Sequence, residues 1–418
     1  MNLLKTSVLN GVAVLIKTAT MFILNKILAI YVGPAGYAAI GQFQNFIQMV
    51  TTFAGSAINT AVIKYTAEYY EDETKQRNIW KTAGSIVLLF SLIFSLIILI
   101  FQKQLSLYIF HTDLYQTVFV WFAVFLTFFT FNALFLAILN GKKEVLRLVI
   151  ANIVGSIFSL AITSLLAIKY SLYGALVALS IYQSLAFLAT LLLCYKANWF
   201  RLSYLFGKID KSIAKKFAAF ALMALVSAIC VPLSQMAIRS YLTHEFGVTY
   251  AGYWEAMIRL SAAYLMLVTT TLGVYYLPRL SELSKLEEIK SEVYLGYKFI
   301  FPLAAIGGFF VYFLRDWIIT LLFTKSFMPM RDLFLWQLIG DSLKIGSWIL
   351  AYLMLSKAMT KLFIITEIVF ALTSILFTIL FTKVMGFDGV SMAHLVNYAL
   401  YWVVMGLLIF KLLKEKMS

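Results

Sequence analysis

The chain has 418 residues, 62% of them hydrophobic and 13% charged, with a mean hydropathy of +0.90 and a formal charge of +15. Soluble domains average about 25% charged residues, so an ordinary soluble enzyme is excluded, and the apolar runs are too many for a signal peptide. The basic balance does not point to nucleic acid: most Lys and Arg gather at the ends of apolar runs, where membrane topology accounts for them.

Twelve spans of about 20 residues are expected in chain order. They fall near 8–32, 38–64, 82–101, 116–140, 146–168, 173–195, 217–240, 250–277, 295–322, 332–356, 362–382 and 389–410. The runs are continuous and do not alternate, which excludes a strand-built barrel. Placing both termini in the cytoplasm puts most Lys and Arg on that side, as the positive-inside rule requires. The outer loops are short, and Gly33-Pro34-Ala35-Gly36 has the composition of a tight turn. No loop is large enough for an external catalytic domain, which argues against a membrane polymerase or glycosyltransferase. Cys194 and Cys230 lie in apolar runs, so no disulfide framework, metal site or bound cofactor is expected.

In the first span, Lys17 sits about nine residues deep, roughly 14 Å at the helical rise. Lys26 lies nine residues later on the opposite face, near the outer end, where a lysine can snorkel. The second span carries Gln42, Gln44, Asn45 and Gln48, which are either glycan contacts or interhelical hydrogen bonders. The connection at 197–216 is expected to be an amphipathic cytoplasmic linker and topology anchor; Trp199, Phe200, Leu202, Tyr204, Leu205 and Phe206 among its basic residues leave open a place on the membrane surface.

The spans after the linker echo those before it at a nearly constant offset: Lys26 matches Arg239, Gln42 matches Glu255, Phe110 matches Phe323, and Gly174 matches Gly389. The expected architecture is therefore an all-α membrane protein of two parallel six-helix lobes, 1–196 and 217–418, with its site between them. Arg239 has the same snorkelling option as Lys26. Glu255 and Arg259 are spaced to pair on the eighth span, and Asp341 and Lys344 on the tenth. Glu367 lies in the eleventh span without a basic neighbour on its face. His394 and Asn397 in the twelfth read as packing hydrogen bonders. Pro232, Pro278 and Pro302 mark positions where helices can kink.

A charge in hydrocarbon costs about 2.5–3.5 kcal/mol on insertion scales, and such residues mark pathways for ions or substrates. Lys17, Lys26, Arg239, Arg259 and Lys344 are thus candidate ligands for an anion. Glu255, Asp341 and Glu367 are candidate proton or sodium carriers, with the membrane potential as a further energy source.

The run from Phe327 to Lys344 is the most specific part of the chain, above all Met330-Arg331-Asp332-Leu333 and Gly340-Asp341-Ser342-Leu343-Lys344. With Gly33-Pro34-Ala35-Gly36, Lys64-Tyr65 and Tyr276-Leu277-Pro278-Arg279-Leu280-Ser281, it resembles the Wzx-type polysaccharide lipid flippases of the multidrug/oligosaccharidyl-lipid/polysaccharide exporter superfamily. The likeness extends along essentially the whole chain. It implies a MATE-like fold with a cationic central cavity and alternating access. It implies as substrate an undecaprenyl-diphosphate-linked oligosaccharide, moved from the cytoplasmic to the periplasmic leaflet of a bacterial inner membrane. Its implied partners are that lipid, membrane lipids, and a cognate polymerase and chain-length regulator. An O-antigen repeat-unit flippase and a cation-coupled drug antiporter of the same superfamily stand beside this reading.

Overall fold

The structure, a computed structural model, describes residues 3–415 apart from Ser284 and Ala358. Side chains are described from 11 to 409, except at 219, 220, 267, 274, 278, 284 and 358. The side chain of the expected kink residue Pro278 therefore lies outside the described residues. All described elements are helical. Eight helices are long and apolar enough to cross a membrane, or nine if one bent pair counts as a single span. The chain is a multi-pass membrane protein. It divides into two compact units, Met1–Pro232 and Leu233–Ser418.

The first unit holds α1 (Leu3–Tyr31), α2 (Gly33–Phe53), α3 (Asn59–Glu68), α4 (Glu73–Phe110), α5 (Gln116–Gly141), α6 (Val145–Tyr195) and the start of α7 (Lys211–Phe246). The expected second span is not one rod. It breaks after Phe53, and the two parts meet at 67°. Gly55 takes φ 139° there, a backbone angle open only to glycine at low cost. The expected loop between the fifth and sixth spans is likewise compressed to a break inside α6, where Ser171 has φ 47° and ψ −128°. Helix α4 has 38 residues, about 57 Å at the helical rise, so it outruns a hydrocarbon core of about 30 Å. Asp72 caps its N-terminus by accepting the Lys75 backbone N–H at 3.0 Å.

Helix α5 is the core of this unit. Phe119 and Phe122 pack against Phe43 of α2, with ring centroids 5.5 and 6.1 Å apart. Neutral groups then join α5 to α6: the Asn132 amide donates to Gln183 at 3.0 Å and Thr190 donates to Asn132 at 2.8 Å.

The linker packs into the first unit instead of presenting all its aromatic residues to a surface. Ala197, Phe200 and Leu205 are buried in one core cluster with Trp80, Phe135 and Phe217, and Trp199 packs against it. Trp199 Nε1 donates to Glu144 at 2.8 Å, and Ser85 Oγ donates to the Gly207 carbonyl at 2.9 Å. Apolar residues spaced along a basic segment fit an interfacial strip or a docked strap equally well, and aromatic packing on α4 and α5 decides for the strap. Leu202 and Phe206 remain exposed. The linker and Phe217 thus belong to the first unit, and the division falls inside α7.

The second unit contains the end of α7, α8 (Val248–Thr271), α9 (Leu277–Glu282), α10 (Leu286–Phe313), α11 (Arg315–Leu322), α12 (Phe334–Ser356), α13 (Thr360–Met385) and α14 (Gly389–Glu415). Helices α7 and α10 run on through Pro232 and Pro302 as single helices. The irregularity lies elsewhere, in a π-helical turn at Leu272–Tyr276 that joins α8 to α9. The expected ninth span also ends early, because α11 is a separate short helix after Phe313. Helix α12 is the centre of this unit, against α14 and α10. Trp402 Nε1 donates to the Tyr297 hydroxyl, which donates to the Gly346 carbonyl, both at 2.7 Å, so α14, α10 and α12 are tied in series.

Candidate functional site

The expected site residues divide between the two units. In the first, Lys17 is exposed on α1 and Lys26 is half-buried. Gln42 and Asn45 are buried, Gln44 is half-buried and Gln48 is exposed, so the four amides do not form one uniform face. Asn45 Nδ2 is buried without a hydrogen-bond partner.

The second unit gathers its charges. Arg239, expected to snorkel, is instead 1% exposed and donates to Glu255 Oε2 at 2.5 Å. Arg259 Nε donates to the other carboxylate oxygen, Oε1, at 2.8 Å. One glutamate thus bridges two arginines from α7 and α8, and the triad keeps a formal charge of +1. The Arg239 guanidinium also lies 5.5 Å from the Trp254 ring centroid. Desolvating three ions costs several kcal/mol each, so such a cluster persists only when every ion is matched. Arg259 is the more open member, with 15% of its side chain exposed. The spacing revealed the Glu255–Arg259 pair. Arg239 escaped it because the contact crosses the α7–α8 turn.

Asp341 does not pair with Lys344. Its carboxylate, on a residue 1% exposed, meets His394 Nε2 at 3.0 Å from Oδ1. The Tyr264 hydroxyl donates to Oδ2 at 3.1 Å, and Gln337 Nε2 donates to Oδ1 at 3.3 Å. A close approach of α12 and α14 brings the histidine in. A side chain at Gly340 would place its Cβ 2.5 Å from the His394 ring and 3.0 Å from the Leu395 backbone, so only glycine allows this packing. His394, Tyr264 and Gln337 were missed as site residues. The one available signal was a lone histidine in an apolar span.

Lys344 turns instead to aromatic faces. Its ammonium lies 4.9 Å from the Trp348 ring centroid and 5.5 Å from that of Tyr398. Cation–π contacts of this kind stabilise a desolvated cation by about 2 kcal/mol without neutralising it. Lys344 is half-buried. Glu367 is half-buried on α13, and its charge is felt at Tyr398 and Tyr401. Among the described residues no cluster of His, Cys, Asp and Glu is suited to a metal ion.

This arrangement of helices is a MATE-type fold. An inward-facing multidrug resistance MATE family transporter matches with a TM-score of 0.76 at 14% identity, covering 96% of each chain. A MATE transporter of Vibrio cholerae matches with a TM-score of 0.70 at 15% identity, covering 98% of each chain. Sequence narrows the class. The profile of the polysaccharide biosynthesis protein family matches residues 3–284. The lipid III flippases of Escherichia coli and Shigella flexneri are each 30% identical over 403 residues, 96% of this chain and 97% of theirs. The chain belongs to the polysaccharide biosynthesis protein family.

Proposed function

We propose that this protein is a lipid III flippase of enterobacterial common antigen synthesis. In this reading it carries an undecaprenyl-diphosphate-linked oligosaccharide from the cytoplasmic to the periplasmic leaflet of the inner membrane, with both termini cytoplasmic, by alternating access. The observation that carries it is the near full-length relation to lipid III flippases. The chemistry of the second unit supports it. A diphosphate cannot enter hydrocarbon unless fixed cations replace its hydration. Lys344 lies against the Trp348 and Tyr398 rings with no carboxylate ion pair among the described residues, and Arg259 is the open edge of a triad with surplus positive charge. Lys17, Lys26 and Arg239 complete the proposed cationic set. The glycan contacts assigned are Gln42, Gln44, Asn45 and Gln48.

A cationic-drug antiporter needs an acid that a drug-sized organic cation can approach, a larger opening than a proton or a bare sodium ion requires. Glu255 is already held between two arginines and Asp341 is held by His394, Tyr264 and Gln337, which disfavours that activity. Ion coupling, by proton or sodium, is assigned to Asp341, Glu255 and Glu367. The cognate polymerase and chain-length regulator are proposed as partners in the membrane.

Rescue of a strain lacking its lipid III flippase tests the reading. Restored delivery of the common antigen is the expected result, and Lys344→Ala should abolish it while the protein still inserts. Rescue of an O-antigen flippase deletion alone would move the assignment to that substrate. Rescue of drug resistance alone would move it to an antiporter.

A further inference from the structure

We propose that Asp341 and His394 form one proton-binding site, and that its occupancy controls how strongly Lys344 holds a diphosphate. The second part rests on Lys344 meeting the substrate anion, as proposed above. The first part does not.

Asp341 is almost fully buried and accepts hydrogen bonds from three side chains on three helices: Tyr264 of α8, Gln337 of α12 and His394 of α14. Several donors on one carboxylate favour its ionised form. With a neutral imidazole, the Nε2–H donates to Asp341 Oδ1, and Nδ1 carries the lone pair. The site then holds one negative charge inside an apolar helix bundle. A proton arriving at Nδ1 converts the ring to imidazolium, keeps the Nε2–H bond and brings the pair to zero net charge. His394 is the route in, since 20% of its side chain is exposed against 1% for Asp341.

The remaining neighbours do not supply the missing charge directly. Helix α8 adds the Tyr264 and Ser261 hydroxyls, the latter 3.5 Å from Gln337 Nε2. Helix α10 presents Gly308, 3.8 Å from the Tyr264 hydroxyl by its would-be Cβ. Helix α14 adds Tyr398, whose ring centroid is 4.8 Å from that of His394, and α13 adds Glu367, which acts on Tyr398. Lys344 of α12 is the remaining cation. It lies over the same Tyr398 ring, one helical turn from Asp341, and its charge reaches the carboxylate.

Consequently the two equilibria are linked. An unprotonated pair draws on the field of Lys344 and repels an anion beside it. A protonated pair does neither. Proton and diphosphate therefore favour each other's binding, and by linkage the effect is equal in both directions.

The chain has three histidines, so ring-nitrogen NMR of the full-length protein in lipid nanodiscs can follow each one, with His394→Gln assigning the signal. The His394 ring signal is expected to respond to pH over the range in which an imidazole changes its charge. In Asp341→Asn its midpoint should fall by about 1–3 pH units. Tyr264→Phe, which keeps the fold's volume, should instead raise the midpoint, because a carboxylate with one donor fewer attracts the proton more. No titration in that range, or the same midpoint in all three forms, overturns the proton site. In the second arm, undecaprenyl diphosphate should bind wild type at least about fivefold more tightly at pH 6 than at pH 8, and equally at both in His394→Gln. A titrating pair with pH-independent binding overturns the link to Lys344. Tight pH-linked binding without transport would count against the flippase reading alone.

Discussion

The two units are built from similar helices yet handle polarity in opposite ways. The first joins its helices with neutral groups, such as Asn132, Gln183 and Thr190, and with stacked rings. Apart from Lys17 and Lys26 within α1, cations gather at helix ends, where Lys142 lies 5.3 Å from the Trp199 ring centroid and 5.2 Å from that of Tyr70. The second buries ions at matched positions: Arg239, Glu255 and Arg259 in one cluster, Asp341 and His394 in another. Two units of similar helices thus differ in chemistry: the first is held by neutral groups and rings, and the second also by buried ions.

The largest effect that can break this contrast is at Glu255. Glu255→Gln leaves two buried guanidinium groups facing each other with a neutral partner. Loss of about 3–5 kcal/mol is expected, seen as a sharp fall in thermal unfolding temperature and in folded yield from membranes. Unchanged stability would show that the arginines find solvent and that the second unit is not a buried-charge unit.

Gly340→Ala comes next. The new Cβ would meet the Leu395 backbone as well as the His394 ring, so α12 and α14 must separate. A cost of about 1–3 kcal/mol is expected, together with loss of the Asp341–His394 contact, read by the histidine ring resonances. In the first unit, Trp199→Phe keeps most of the apolar contact but removes the hydrogen bond to Glu144. About 1.5–3 kcal/mol is the upper range for a bond to a charged group, and partial exposure of Glu144 places this variant at the low end. Protease cutting near Gly207 should become faster, because the strap loses an anchor.

The smallest effect concerns Asp72. Its hydrogen bond to the Lys75 N–H holds its carboxyl below the ordinary range, helped by the Lys75 side chain. A depressed folded-state value means that the contribution is fully present above the unfolded value and is lost as pH falls through the folded one. Hydrogen exchange should therefore reveal fraying of the first turn of α4 below about pH 4, and Asp72→Ala should fray at all pH values.

These outcomes also separate what the sequence makes legible from what it hides. Apolar runs located the helices, because hydrocarbon leaves the backbone no other partner than itself. Short-range pairing was half legible. The i, i+4 spacing of Glu255 and Arg259 is a true contact, whereas the i, i+3 spacing of Asp341 and Lys344 is not, because Gly340 admits His394 from another helix. Arg239 was hidden for the same reason: its partner lies across a turn. The packing of the linker was open from sequence because Phe200 and Leu205 look alike on a membrane or in a core, and the aromatic surface of Trp80 and Phe135 distinguishes the two.

The central claim is that a lipid-linked diphosphate is moved by a protein whose second unit supplies the cation. Reconstitution into proteoliposomes with a labelled undecaprenyl-diphosphate oligosaccharide in the outer leaflet measures it directly, by loss of label accessibility over time. Wild type should move the lipid, and Lys344→Ala should slow it by about tenfold or more while still inserting as a folded protein, checked by its thermal unfolding transition. Equal rates in protein-free vesicles, or an undiminished rate in Lys344→Ala, would contradict the account.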